Sequence, residues 1–445
     1  MMPAFDAKPR VLLRNVGVPN SHDIEIYVQR GGYRALDGTL AGLAPDDVVK
    51  AVLDAGLRGR GGAGFPTGRK WMFLPEDIAP RYLVCNADEG EPGTFKDRVL
   101  IEKDPHSLIE GIVISSYACR ASHAFIYIRG EYHLGRRRLE EAIRQAYTWG
   151  YLGQDIRGSG YDLELSLISG AGAYICGEET ALLSSLEGRR GHPKLKPPFP
   201  AVEGLYRLPT IVNNVETLCN VPLIVQYGVD WYRQWGTELS PGPKLFSVSG
   251  HVERPGVYEL PMATPVRELI EDVCAGPRNG VPLKAIIPGG SSVPMLPAAL
   301  AMDANLDFES LRDAGSSLGS GGVIVVNEET CIVRLTMRLA AFYRHESCGK
   351  CIPCREGTDW LYKILTRIED GGGRPEDIPL LRDICHNIGG RSFCPLGDAA
   401  IGPVLSSIEH FRDEYEYHIA HRRCMAGAFP DADASRRALE KSRIE

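Results

Sequence analysis

Three cysteines at positions i, i+3 and i+6 of Cys348-Gly-Lys-Cys351-Ile-Pro-Cys354-Arg-Glu-Gly constrain this chain more than any other feature, because their thiolates converge on one compact inorganic core. Such a core needs a fourth ligand. Cys394 lies 40 residues after Cys354 and is followed by Pro395, the Cys-Pro pairing that ends many iron–sulfur motifs. The pattern points to a cubane [4Fe-4S] cluster on Cys348, Cys351, Cys354 and Cys394. Structural zinc is the competing reading, and it would take Cys385 or the adjacent His386 as its fourth ligand.

With 445 residues, 44% hydrophobic and 24% charged, the chain has enough apolar surface for two or three cores. A net charge of -7 argues against a nucleic-acid footprint, and Arg136-Arg137-Arg138 reads as the solvated face of a helix running through Ile143. No window approaches the roughly 18 to 20 apolar residues of a membrane span, and the first residues lack a signal-peptide apolar run, so the expected location is cytosolic. Of the twelve cysteines, four belong to the cluster pattern, and the other eight are scattered singly as expected buried thiols.

Residues 1–45 read as a polar N-terminal arm, followed by an α/β domain over 46–240. Its strand candidates are Tyr82 to Cys85, Ala124 to Arg129 and Leu163 to Ser169, each leading into a glycine-rich or charged loop, as in open sheets that carry sites at strand ends. The Ser240-Pro-Gly-Pro243 cluster marks a boundary. A smaller β-rich domain over 244–328 then begins with strands at Lys244 to Gly250 and near Gly256 to Leu260. It continues through a helix at Pro265 to Val273, N-capped by Thr264, and closes near Val323 to Val326. Helical spacing of Ile332, Leu335, Leu339 and Phe342, and of Trp360, Ile364 and Ile368, predicts a bundle over 329–430, with a tail at 431–445.

The stretch Gly59-Arg-Gly-Gly-Ala-Gly-Phe-Pro-Thr-Gly-Arg-Lys70-Trp is suited to wrapping a phosphate, since glycines let backbone N–H groups approach an anion and Lys70 adds a charge. It is not a Walker loop, because Arg69 separates Gly68 from Lys70. A second segment, Gly170-Ala-Gly-Ala-Tyr-Ile-Cys-Gly177-Glu-Glu-Thr, follows a strand and opens a helix from about Glu178 to Glu187, but Ile175 occupies the third glycine position of the dinucleotide fingerprint. Glu178 and Glu179 suit a first helical turn electrostatically. A carboxylate there also suits an adenosine ribose and would repel a 2′-phosphate, favouring NAD over NADP. The acidic loop Asn86-Ala-Asp88-Glu89-Gly-Glu91-Pro-Gly93 has a solvated turn or a divalent metal as its plainer reading.

Together, Gly59 to Trp71, Cys85 to Lys96, Gly170 to Glu179, Val212-Asn213-Asn214-Val-Glu-Thr217 and the cysteine set with Ser392-Phe-Cys394-Pro-Leu-Gly resemble the flavin-bearing NADH dehydrogenase subunit of respiratory complex I, in the family's order and over most of the chain. The resemblance implies a Rossmann-like FMN-binding α/β domain, a β-grasp (SLBB) domain and a C-terminal helical bundle with one [4Fe-4S] cluster. It implies FMN held by Gly59, Arg60, Gly62 and Lys70 with Asn213, Asn214 and Thr217. Asn86, Asp88 and Glu89 would contact the isoalloxazine or ribityl side, with Tyr174, Gly177 and Glu178 opposite. NADH would stack its adenine among Phe65, Phe73 and Phe199, with Glu179 on the ribose, Lys196 nearby and Glu91 beside the nicotinamide. Core packing is the plainer role for Phe73.

The implied activity is hydride transfer from NADH to FMN, followed by single-electron transfer to the cluster. The electrons then pass to a small thioredoxin-like [2Fe-2S] subunit and a large iron–sulfur subunit toward quinone. Such a chain sits peripherally on the inner face of a bacterial plasma membrane, or on the matrix side in a eukaryote. Related modules serve as diaphorase subunits of NAD-dependent formate dehydrogenases and NAD-reducing hydrogenases, often with extra cluster domains, for which Cys85 before residue 119 and Cys424 after 394 supply no ligand set. A zinc-stabilised non-enzymatic scaffold would leave the glycine loops unexplained.

Overall fold

A computed structural model describes residues 10–426, so the expected tail at 431–445 and the first nine residues of the arm lie outside the described residues. The first sheet has four parallel strands, β1 (Tyr82–Ala87), β2 (His123–Ile128), β3 (Glu164–Ser169) and β4 (Thr210–Asn214), in the order β3-β2-β1-β4. Three of these match the strands read from sequence. The fourth lies inside the Val212-Asn-Asn motif, where two asparagines weaken the strand signal. Winding runs outward from β1 through β2 to β3 and then reverses to β4, so the carboxyl ends of β1 and β4 flank a topological switch point.

Strand alternation sends Leu83, Cys85, Ala124, Ile126 and Ile211 to one face and Val84, Tyr127 and Val212 to the other. The first face is covered by the helices Pro105–Ala118 and Val215–Tyr227. These approach so closely that a Cβ on Gly111 would lie 2.2 Å from the carbonyl oxygen of Leu218. The second face packs on Ile175, on the helix Glu179–Leu186 and on Tyr343, Cys354 and Leu396, which belong to the cysteine-bearing part of the chain.

Residues 10–45 differ from the expected polar arm. They contain the helices Ile24–Gln29 and Arg34–Gly42, whose Ile24, Tyr27, Ala35 and Leu36 are buried in the first core. Each helix is so short that its few apolar residues are diluted among charges, and average polarity hides the buried face. The backbone N–H groups of Val11, Leu12 and Leu13 donate to the Glu259 carboxylate at 2.9 to 3.0 Å and tie this segment to the second domain.

That domain is a five-stranded mixed sheet built from β5 (Pro243–Gly250), β6 (Gly256–Pro261), β7 (Leu283–Ile287), β8 (Leu296–Pro297) and β9 (Gly322–Asn327), in the order β6-β5-β9-β7-β8. Its helix differs from the one expected. The Thr264 hydroxyl donates to the carbonyl of Pro261 instead of capping, and Glu268–Val273 is a π-helix in which the N–H of Cys274 reaches back to Leu269.

The last part is helical, with Ile332–Glu346, Ile352–Glu369, Asp377–Ile388, Leu396–His410 and Arg412–His421 around a core that includes Leu361, Leu365, Leu381 and Val404. No described helix is long and apolar enough to cross a membrane. Gly111→Ala is expected to push the helices Pro105–Ala118 and Val215–Tyr227 apart and to cost about 1–3 kcal/mol. A lowered thermal unfolding midpoint would show this; an unchanged midpoint would contradict the close approach.

Candidate active site

A cleft opens at the switch point. Asn86 is the penultimate residue of β1, and Asp88, Glu89 and Glu91 follow it along one wall, while Asn214 stands at the end of β4. The glycine loop contributes Gly61 and Gly62, and Tyr174, Gly177 and Glu178 form the side below the helix Glu179–Leu186. Gly62 has φ +152° and nothing within 4 Å of an added Cβ, so the loop leaves an open wall there. The second domain closes the cleft through Ser292, Gly319 and Ser320, and the helical part through Cys394 and Leu396.

Five expected residues lie behind this wall. Arg60 is fully buried, with its guanidinium donating to Tyr232 Oη at 3.2 Å and to the Pro241 carbonyl at 2.8 Å. Its backbone N–H donates to Thr217 Oγ1 at 2.8 Å, and Asn213 Oδ1 accepts from Trp71 Nε1 at 2.9 Å. The N–H of Gly59 closes the loop on the Phe65 carbonyl at 2.9 Å. Lys70 Nζ bridges Glu179 and the Val212 carbonyl, both at 2.9 Å, so its charge is paired within the protein.

Burial sets the electrostatics. It pushes the Asp88 carboxyl up to about 7, against the nearby Arg129, and Asp88 Oδ2 has no hydrogen-bond partner among the described residues. The Glu89 carboxyl is also raised by burial. It accepts the N–H groups of Asp97 and Arg98 at 2.8 and 3.0 Å, closing the start of the helix Lys96–Lys103, and the Tyr132 hydroxyl at 2.9 Å. Glu91 joins three parts of the molecule: Oε2 accepts from Tyr174 Oη at 2.5 Å, and Oε1 accepts from the N–H of Ser292 at 2.7 Å and Ser291 Oγ at 3.1 Å. Glu178 is the N-cap of its helix, with Oε2 accepting from the N–H groups of Thr180 and Ala181.

Sequence reasoning assigned no role to Lys96 and Asp97, which both line the cleft. Lys96 Nζ lies 2.7 Å from Asp97 Oδ1 and 2.8 Å from Glu216 Oε2, and Asn214 Nδ2 donates to Asp97 at 2.6 Å. A Lys-Asp pair directly after the acidic loop was the available signal. The Ser and Gly residues of the second domain carried none, because their place depends on how two domains meet.

Outside the cleft, Phe65, Phe73 and Phe199 are 46, 49 and 55% exposed, which rules out core packing for Phe73. Phe65 and Phe73 face each other with centroids 6.0 Å apart, at a 44° tilt. Glu179 is clamped between Lys70 at 2.9 Å and Lys196 at 2.6 Å. Although burial works upward, these two cations hold its carboxyl down at about 2.

The four cysteines of the cluster pattern line one small cavity. Cys348 lies in the loop after Ile332–Glu346, Cys351 and Cys354 at the start of Ile352–Glu369, and Cys394 beside the start of Leu396–His410, so two helix N-termini face the cavity with positive dipole ends. Cys385 is excluded from it, being fully buried in the bundle core, and His386 is exposed. Ile175, Cys394 and Leu396 line both this cavity and the cleft.

The donor sets fit the groups they suggest. Four sulfurs around a compact cavity suit a cluster, and an open glycine wall opposite an unpartnered Asp88 oxygen suits a polar, hydroxyl-bearing ligand. Fold and site together define a flavin-binding domain coupled to an iron–sulfur bundle. Models of the Nuo51 FMN-binding domain, the SLBB domain and the NADH-ubiquinone oxidoreductase-F iron-sulfur binding region match residues 52–223, 244–326 and 334–418. The chain is 54% identical over 415 residues to an F subunit of NADH-quinone oxidoreductase, the one numbered 2, of Rhizobium meliloti, covering 93% of this chain and 98% of that one. It is 56% identical over 405 residues to the NADH-quinone oxidoreductase F subunit of Streptomyces coelicolor, covering 91 and 90%. A solved NAD+-reducing [NiFe]-hydrogenase in the H2-reduced state aligns with a TM-score of 0.81 at 37% identity, over 95% of this chain and 70% of that one. The chain belongs to the family of NADH-quinone oxidoreductase F subunits, which are NADH dehydrogenases.

Because the Glu179 carboxyl is depressed from 4.5 to about 2, its stabilisation is complete above pH 4.5 and is lost as the pH falls toward 2. Wild type is therefore expected to lose more stability than Glu179→Gln between pH 5 and roughly 3, measured by denaturant midpoints. Parallel curves would contradict the clamp.

Proposed function

We propose that the cleft takes FMN and NADH and that the cysteine cavity takes the [4Fe-4S] cluster, making the chain the electron-input unit of an NADH:quinone oxidoreductase. The observation that carries this reading is the shared wall: Ile175, Cys394 and Leu396 face both cavities, so a cluster ligand borders the flavin site directly. Bound FMN supplies hydride acceptance from NADH and release of electrons one at a time to the cluster.

The residues divide the remaining work. The backbone at Gly61 and Gly62, with Asn86, Asp88 and Asn214, holds the flavin, while Gly59, Arg60, Asn213 and Thr217 brace that wall from behind. Glu89, Tyr174, Gly177 and Glu178 shape the opposite sides, with Glu178 committed to its helix N-terminus. Lys70 acts through Glu179, keeping it ionised for a ribose, with Lys196 on its other oxygen. Exposed Phe65, Phe73 and Phe199 offer planar faces to an adenine. Glu91, held by Tyr174 and Ser292, positions the nicotinamide.

Electrons leave toward a partner. Cys348, Cys351 and Cys394 are only partly buried, and Ile352 beside Cys351 is 65% exposed, an edge suited to docking a thioredoxin-like [2Fe-2S] subunit and a large iron–sulfur subunit. The assembly would lie peripherally on the inner face of a bacterial membrane. The hydrogenase likeness keeps a diaphorase role in view, but 54% identity over nearly the whole length of the Rhizobium meliloti relative favours the quinone-linked enzyme over 37% across 70% of the hydrogenase chain.

Anaerobic spectra of the purified chain, with iron and flavin quantified, test the reading. Cys394→Ser is expected to lose most of its iron while Cys385→Ser keeps it, and wild type should bleach in both flavin and iron–sulfur bands with NADH. Iron retained in Cys394→Ser and lost in Cys385→Ser would overturn the ligand set. Glu91→Gln is expected to lower kcat/KM for NADH by about tenfold, or ~1.4 kcal/mol, with flavin content retained. Unchanged turnover and NADH affinity would remove Glu91 from this role.

A further inference from the structure

The helices that present the cluster cysteines at one end bring a second set of metal-type ligands together at the other. Cys331, at the N-cap of Ile332–Glu346, His418 near the end of Arg412–His421, and Cys424 beyond it place Sγ, imidazole nitrogen and Sγ within 4.8 Å of one another. Cys331 Sγ lies 3.3 Å from His418 Nε2. Glu369, the last residue of Ile352–Glu369, brings Oε2 to 3.7 Å from both Cys331 Sγ and His418 Nδ1. Cys331 and His418 are each 1% exposed, and His418 Nδ1 has no hydrogen-bond partner among the described residues.

We propose that Cys331, His418 and Cys424 bind a zinc ion, with Glu369 beside Cys331 and His418. Tetrahedral zinc, with Zn–S of about 2.3 Å and Zn–N of about 2.0 Å, sets its ligand atoms roughly 3.5 Å apart, close to the 3.3 Å between Cys331 Sγ and His418 Nε2. Two thiolates and one imidazole are a donor set that zinc accepts without redox chemistry. Each of the two sulfurs already accepts a backbone N–H, Cys331 Sγ from Arg334 and Cys424 Sγ from Ala426, both at 3.3 Å. The second oxygen of Glu369 lies 3.8 Å from Arg334 Nε, which offsets the charge of the anionic ligands.

This site is separate from the cluster. A helix of 15 residues, Ile332–Glu346, stands between Cys331 and Cys348 and spans about 22 Å. The ion would fasten the segment after His421 to the starts and ends of the two helices that carry the cluster loop, acting as a staple.

The test is metal analysis of the full chain, purified anaerobically from zinc-supplemented cells. About one zinc per chain is expected in addition to about four iron atoms, with zinc-edge absorption showing two sulfur neighbours at about 2.3 Å. Cys424→Ser should lose zinc at least fivefold while keeping iron, flavin and bleaching by NADH. Zinc below about 0.1 per chain, unchanged zinc in Cys424→Ser, iron in zinc's place or a Cys331–Cys424 disulfide in mass spectra would each overturn the proposal. The absorption measurement on wild type decides the matter even if the variant fails to accumulate.

Discussion

Beneath the cleft, three buried cations, Arg60, Lys96 and Lys244, gather around two buried carboxylates, Asp97 and Glu216; Lys96 pairs with both carboxylates and Lys244 with Glu216, while Arg60 is held by Tyr232 and the Pro241 carbonyl. Removing five charges from water is costly, and the arrangement survives because nearly every charge has a short partner. Burial works against the Lys96 charge, but Asp97 and Glu216 outweigh it and hold the ammonium firmly protonated. Lys244 is pushed down to about 7 by burial, with Lys96 and Arg60 adding to the push and Glu216 opposing it. Cations outnumber carboxylates by one, and Lys96 lines the cleft. Lys96 is thus the one cation of this cluster that lines the cleft, beside the carboxyl groups of Asp88, Glu89 and Glu178.

The same cluster fixes how two domains meet. Glu216 opens the helix after β4 and accepts the N–H of Leu245 in β5 at 2.8 Å, so the end of the first sheet and the start of the second are held by one carboxylate. Lys244 Nζ donates to the Ser320 carbonyl at 2.9 Å, which sets a loop of the second domain against the cleft. Glu91 does the equivalent on the other side, reaching Tyr174 and Ser292, while Ser291 Oγ lies 2.8 Å from Tyr343 Oη in the helical part. The N–H of Tyr174 donates to Glu346 at 2.9 Å, just before the cysteine loop. A cleft assembled from three domains thus has polar pins at each seam, and the spacing between flavin and cluster cavities is a property of those pins.

How much of this could be read from the sequence depended on whether a feature was local. Cysteine spacing, glycine density and strand alternation are local, and the cluster loop, the Gly61–Gly62 wall and β1 to β3 were legible from them. Lys70 has neighbours in sequence that suggest a phosphate, and it is Glu179, 109 residues away, that pairs with its ammonium. Arg60 and Thr217 look like ligand residues for the same reason and stand behind the wall, holding each other. The helices at Ile24–Gln29 and Arg34–Gly42 were hidden because too few turns exist for periodicity to rise above the charged background. Residues such as Ser292 and Ser320 enter the site only through domain packing, which no window of sequence contains.

Cys394 shows why that distinction matters for function. Its spacing from Cys354 carries little information, and Cys385 is a nearer thiol in sequence; what separates them is that Cys385 faces the bundle core with Leu361 and Leu365, while Cys394 precedes a helix start and lines the cysteine cavity. The same placement makes Cys394 part of the cleft wall beside Ile175. A fourth ligand drawn from any deeper helical position would have put a layer of side chains between the two cavities. Electron transfer between a flavin and a cluster needs proximity and a rigid intervening medium, and a ligand that is itself the partition provides both. On the proposed reading, the late, isolated Cys-Pro is the residue on which the coupling of the two halves of the molecule turns.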